Sequence, residues 1–225
     1  MALQPTLRAA TPSDILDCAA IAHAAFAPSP IIRHIRPAAE SVALGLWTAV
    51  VSAAFAQPHA HLVVAEDAAS GELLGFAKWV WVEEGAVVPG IAASAAVGGD
   101  SGGDSEDERV GMEELWGMVG DREFAMEYFG AQAEQHERFM GRRAHWYLEL
   151  ISTKAEVKGR GTGRRLVQWG LERVDGDGAV AYLEASPQGR GLFERFGFEV
   201  VERLVYLDGA YVECPMVRAA KGKGE

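Results

Sequence analysis

The chain has 225 residues, 49% hydrophobic and 24% charged, with a formal net charge of −11, which allows one well-buried core and argues against nucleic-acid binding by the surface at large. No apolar run is long enough to cross a bilayer, so no membrane role is expected. Two cysteines, Cys18 and Cys214, lack CxxC or His-pair spacing and give neither a disulfide framework nor a zinc site, and no metal is expected. The first residues carry neither the basic region nor the apolar core of a secretion signal, which makes the cytoplasm or nucleus the default.

In chain order, Leu7-Arg8-Ala9-Ala10 reads as a short strand, and Thr11-Pro12-Ser13-Asp14 as the start of a helix. Ile15, Leu16, Cys18, Ala19, Ile21, Ala22 and Phe26 then recur at helical spacing until Pro28 and Pro30 stop them. A second helix is expected over residues 37–55, burying Val42, Leu46, Ala49, Val50 and Ala53. Residues 61–66 and 73–82 are two β-rich runs joined as a hairpin, with Trp79 and Trp81 on one face under a helix. His23, His34, His59 and His61 are scattered and carry no pattern.

Residues 92–110 turn to Gly, Ala, Ser and acid, a low-complexity loop too polar to offset its chain entropy. Residues 111–140 are helical, rich in aromatics, and broken into pieces by Gly117, Gly120 and Gly130. They would serve as a pocket wall or as ordinary packing on the sheet. A strand over 146–151 follows, where alternation puts Tyr147, Glu149 and Ile151 on one face and Trp146, Leu148 and Leu150 on the other. Glu149 is then either an exposed-face residue or a desolvated base.

The strand runs into Lys158-Gly159-Arg160-Gly161-Thr162-Gly163-Arg164-Arg165 and then a helix carrying Leu166, Val167, Gly170, Leu171 and Val174. Strand, glycine turn and helix make a candidate phosphate cradle, and its basic residues, Lys158, Arg160, Arg164 and Arg165, point to an anionic ligand. The spacing fits neither the P-loop nor the dinucleotide fingerprint. A strand over 181–186, a short helix over 187–196 capped by Ser186 and closed by Gly197, and a strand over 199–207 follow. A turn at Asp208-Gly209 and a strand over 211–217 end the fold.

The run Lys158-Gly159-Arg160-Gly161-Thr162-Gly163 resembles the acyl-CoA loop of the GNAT acetyltransferases, with Lys158 where Gln or Arg is usual. Ala181 to Ser186, Gly189, Leu192-Phe193 and Phe196-Gly197-Phe198 are similar to that family's next strand and helix, and residues 7–14 to its opening. The resemblance covers most of the chain outside an insert at about 89–140. It implies an α/β fold with a central mixed, largely antiparallel sheet flanked by helices. The domain would span 1–218, with a polar tail at 219–225.

It also implies acetyl-CoA as acetyl donor. The pyrophosphate would lie on Lys158, Gly159, Arg160, Gly161, Thr162, Gly163 and Arg164, the pantetheine arm beside Leu150, Ile151 and Ser152, and Phe193 close by. The acceptor would be a small-molecule or peptide amine, and the chain a monomer or homodimer. Glu149 and Glu184 are the two candidates for the base, acting directly or through water. Phe193 stands where members of the family commonly have a tyrosine that protonates the leaving thiolate, and Tyr147, Tyr182 and Ser186 are substitutes. A non-catalytic acyl-CoA-binding protein is the alternative.

Overall fold

The computed structural model describes residues 5–35, 39–86 and 119–221. The expected low-complexity loop at 92–110 and the first part of the helical insert lie outside them, as do the last residues of the tail. The elements are β1 (Pro5–Ala9), α1 (Ile15–Phe26), α2 (Pro30–Ile35), α3 (Glu40–Ala56), β2 (Ala60–Asp67), β3 (Leu73–Val82), α4 (Arg122–Met140) and β4 (His145–Thr153). Then come α5 (Thr162–Asp177), β5 (Val180–Ala185), α6 (Arg190–Glu194), β6 (Glu199–Val200), β7 (Leu204–Tyr206) and β8 (Tyr211–Arg218). The strands form one sheet in the order β1-β2-β3-β4-β5-β8-β6, with β7 also on β8. All pairings are antiparallel except β4 with β5. This is the mixed, largely antiparallel sheet flanked by helices that the sequence leads one to expect.

The two faces of the sheet differ in chemistry, because alternating side chains go to opposite sides. One face carries Val63, Ala77, Trp79, Leu148, Leu183, Cys214 and Met216 into an apolar core with Leu166, Val167 and Val174 of α5. Gly170 is what lets α5 approach: a Cβ there would lie 2.0 Å from Cε2 of Trp79. The other face packs Val64, Phe76 and Leu150 against α1 and α3. Farther along, the same face sets Tyr147 and Tyr182 beside Met140 of α4.

Several elements depart from the sequence reading. Pro30 opens α2 rather than only ending α1, as suits a residue that lacks an N–H and is preset for a first turn. In α3 the buried residues are Ala43, Trp47, Val51 and Ala54, one position along from the expected stripe. Trp47 decides this by stacking on Phe26 of α1, with ring centroids 5.1 Å apart. Gly130 does not break α4, which runs unbroken for 19 residues from an Asp121 cap whose Oδ1 accepts from the Phe124 N–H at 3.0 Å. The helix after β5 is confined to Arg190–Glu194, since Ser186 Oγ and C=O close a turn on Gly189 before it begins. The strand expected over 199–207 is two pieces, β6 and β7, separated at Val201–Arg203.

The opening follows expectation: Asp14 accepts from the Thr11 N–H at 2.7 Å and is gripped twice by Arg8 of β1. Both cysteines are free and buried, and burial pushes the Cys18 thiol up to about 12, which makes it an inert core residue.

Candidate active site

The parallel pair β4/β5 opens partway along. Its ladder covers only His145↔Val180, Trp146↔Ala181 and Tyr147↔Tyr182, although β4 continues to Thr153 and β5 to Ala185. Beyond Tyr147 the main chain of β4 is paired with β3 on one side alone. An extended, hydrogen-bonding chain could lie in that gap as an added strand does.

At the mouth of the gap β4 is bulged. Lys78 pairs with Leu150 and Trp79 with Leu148, so Glu149 has no partner across the ladder. The bulge overturns the simple alternation expected for this strand. Leu150 joins the α1/α3 side and Ile151 packs against the α5 core, the reverse of the expected faces. An extra residue inverts every side chain after it. The Glu149 side chain is only 1% exposed while the residue as a whole is half-buried, so its accessible surface is mainly main chain.

Glu149 is not free. Lys78 Nζ donates to its Oε1 at 2.7 Å, with the lysine side chain 7% exposed. Burial raises the Glu149 carboxyl against the pull of Lys78. Glu184, the second candidate, stands on β5 just past the last rung and shares a face with Tyr182 and Val180, as strand parity requires. Tyr147 Oη donates to its Oε2 at 2.8 Å, and its Oε1 is buried with no hydrogen bond. Burial first, and then the neighbouring Glu213, push the Glu184 carboxyl up to about 8. The gap thus brings both carboxylates together, one neutralised by a lysine and one not.

Three groups went unread in the sequence. Glu213 of β8 accepts from Tyr128 Oη at 2.6 Å and from Gln132 Nε2 at 3.0 Å, and burial pushes its carboxyl up to about 7. Lys78 sits within a strand that reads as apolar. His136 and His145 meet with Nε2 atoms 2.7 Å apart. His145 Nδ1 faces the Arg143 carbonyl at 2.7 Å and must donate there, so its Nε2 accepts from His136. Both imidazoles are pushed down by burial, His136 to about 3, and the pair is neutral at ordinary pH. His136 stacks on Tyr182 with centroids 4.4 Å apart. The sequence carried no signal for Glu213, which reaches the site because Pro215, two residues on, pairs with Glu184. Tyr128, Gln132 and His136 recur at four-residue spacing on one face of α4, so this helix walls the site.

At the far end of β4 the glycine turn leads into α5. Gly159 and Gly161 have φ of +78° and +90°, with open space where a Cβ would be. Gly161 is the residue immediately before the helix. Gly163 has ordinary backbone and rests near Leu192 and Thr153. Lys158, Arg160 and Arg164 are exposed beside the turn, whereas Arg165 donates to the Pro5 carbonyl at 2.9 Å and is spent on holding β1. The hydroxyls of Thr162 and Ser152 are buried and make no hydrogen bond. Left-handed glycines, unpaired helix amides, three cations and an orphaned hydroxyl suit a phosphate group at this end of the gap. Phe193 of α6 is 4% exposed, in the core on the α5 side and edge-on to Phe198 at 6.0 Å. Ser186 Oγ accepts from the Gly189 N–H at 3.2 Å. No described helix is long and apolar enough to cross a membrane.

The whole architecture recurs among solved structures. An acetyltransferase from Corynebacterium glutamicum, named histone acetyltransferase HPA2 and related acetyltransferase, superposes with a TM-score of 0.65 at 21% identity, covering 99% of this chain and 100% of that one. An agmatine N-acetyltransferase gives 0.62 at 12% identity, covering 95% and 98%. A mosquito arylalkylamine N-acetyltransferase like 5b gives 0.59 at 17%, covering 96% and 99%. No curated protein matches in sequence. The model of the acetyltransferase (GNAT) family matches residues 31–198, about three quarters of the chain. A splayed strand pair, a glycine turn at a helix start and a family match of that length lead to one assignment: the chain belongs to the GNAT acetyltransferases, whose members use acetyl-CoA as acyl donor.

Proposed function

We propose that this protein transfers an acetyl group from acetyl-CoA to a primary amine, with Glu184 as the base. The observation that carries the reading is the opening between β4 and β5, flanked by a buried carboxylate that no cation among the described residues neutralises. The donor's pyrophosphate would rest on Gly159 to Arg164, with Lys158 and Arg160 screening its charge. Its pantetheine arm would run along the open edge of Leu150, Ile151 and Ser152, presenting the thioester at the Glu149 bulge. The unpaired main chain there supplies N–H donors for the acyl oxygen.

Glu184 is favoured over Glu149 because Glu149 already shares its charge with Lys78. A carboxyl near 8 is well matched to proton abstraction at ordinary pH. Glu184 takes a proton from the acceptor ammonium, directly or through water, and the freed nitrogen bonds the acyl carbon. The carbon–sulfur bond then breaks, and the second proton lost by nitrogen goes to the departing sulfur. Tyr147 holds the Glu184 carboxylate in place throughout. Two structural neighbours are named for amine acceptors, agmatine and arylalkylamines, which is in keeping with an amine substrate.

Phe193 favours a second reading, an acyl-CoA-binding protein without turnover, since it offers no proton to the leaving sulfur. Release of CoA thiol from acetyl-CoA across a panel of primary amines and lysine peptides separates the two. Amine-dependent release supports the transferase. Stabilisation by acetyl-CoA with no release from any acceptor supports the binding protein.

A further inference from the structure

The buried charge on the α4 face of the sheet does not balance. Glu149, Glu184 and Glu213 stand on it, and Lys78 is bonded to Glu149. Among the described residues no salt bridge reaches Glu184 or Glu213, whose partners are the hydroxyls of Tyr147 and Tyr128 and the amide of Gln132. His136, which stacks on Tyr182, is neutral. Unpaired buried carboxylates are costly, and two of them near each other more so; unliganded, they hold protons, and when ionised they leave room for two positive charges on this face.

A second observation points the same way. Tyr182 is 0% exposed, and its hydroxyl lies against the Glu184 carboxyl, yet among the described residues neither that hydroxyl nor Glu184 Oε1 has a well-formed hydrogen bond. Strand pairing fixes the spacing. Glu184 lies opposite Pro215, so Glu213 is its diagonal neighbour on β8, a separation of roughly 7–8 Å and somewhat less between Cβ atoms. Around Glu213 stand Tyr128, Tyr206 and Tyr211, with the Tyr128 and Tyr206 centroids 5.0 Å apart. Rings beside a carboxylate suit an organic cation better than a metal ion.

We infer that the acceptor is a short dicationic amine, its reacting ammonium at Glu184 and its second cation at Glu213 among the tyrosines. This rests on the amine-acetylating reading above. The reacting end loses one proton to Glu184, its nitrogen bonds the acyl carbon as the carbon–sulfur bond breaks, a second proton goes to the departing sulfur, and the third stays as the amide N–H. The distal cation keeps its charge throughout, so its contact with Glu213 serves binding and register rather than bond-making. A span somewhat under ~7–8 Å matches the nitrogen separation of an extended diamine with about four or five methylenes.

The test uses the full chain and acetyl-CoA. CoA-thiol release is measured with 1,4-diaminobutane and 1,5-diaminopentane against 1-aminobutane, 1-aminopentane and 2-phenylethylamine. We expect kcat/KM to favour the diamines by about tenfold or more. In Glu213→Gln that ratio should fall toward one, through a rise in KM for the diamine. Monoamines that match the diamines in the wild-type chain overturn the inference, a comparison needing no variant; so does a ratio that survives Glu213→Gln. Calorimetric titration of the same amines in the presence of CoA keeps the two readings apart. Selective diamine binding without turnover supports the acceptor class and counts against the transferase, while turnover without selectivity overturns only the acceptor class.

Discussion

Glu184→Gln should stabilise the protein while removing its base, and the stabilisation should depend on pH. The folded chain holds this carboxyl near 8, against 4.5 for an ordinary glutamate. Between those values the folded state binds a proton that the unfolded state has released, so stability falls as pH rises through the window. At ~1.36 kcal/mol per unit, the full loss comes to about 4–5 kcal/mol. Glutamine does not titrate and still offers an oxygen to the Tyr147 hydroxyl. The variant should therefore match the wild type closely at pH 5 and exceed it at pH 8.5 by up to about 4 kcal/mol. For a chain of this size that is a rise in Tm of about 8–15 °C. Thermal unfolding of both proteins without ligand, at one-unit steps from pH 5 to pH 9, reads it directly. A Tm difference that stays constant with pH, or a variant less stable at pH 8.5, would refute the claim that Glu184 is a desolvated, uncompensated acid.

Lys78→Met strands the Glu149 charge in the interior and should cost about 3–5 kcal/mol in chemical denaturation. The double variant Lys78→Met with Glu149→Leu should recover most of it, and a failure to recover would show that the pair does more than balance charge. Gly161→Ala forces a side chain to the +90° φ of the turn and should cost about 1–2 kcal/mol. It should also weaken the thermal stabilisation given by acetyl-CoA, whereas an unchanged ligand shift would take the pyrophosphate away from this turn. Phe193→Tyr should raise kcat by about 10²-fold with little change in KM, the lower end of the scale of one general acid. An unchanged kcat would mean that departure of the thiolate does not limit the rate.

Local pattern made much of this fold legible. Gly159 and Gly161 announced the turn because left-handed backbone favours glycine. The stripe from Leu166 to Val174 announced α5 and its buried face because helical periodicity is intrinsic to the chain. Glu184 could be placed on its face by counting in twos. What stayed hidden depends on long-range register. Nothing near Glu149 says that one extra residue is accommodated opposite Lys78 and Trp79, so the faces of Leu150 and Ile151 came out reversed. The face of α3 was set by Trp47 meeting Phe26, a contact between two helices. Glu213 and His136 join the site only because β8 lies beside β5 and α4 crosses the same sheet face, and neither carries a motif of its own.

The central claim is that Glu184 deprotonates an amine acceptor beside acetyl-CoA. Its most direct test is the pH dependence of kcat/KM for amine-dependent CoA release in the wild-type chain and in Glu184→Gln. The account predicts a wild-type rate that climbs through about pH 8 and a variant reduced about 10²-fold or more that has lost this inflection. An equally active variant, or one with the same inflection, would contradict it.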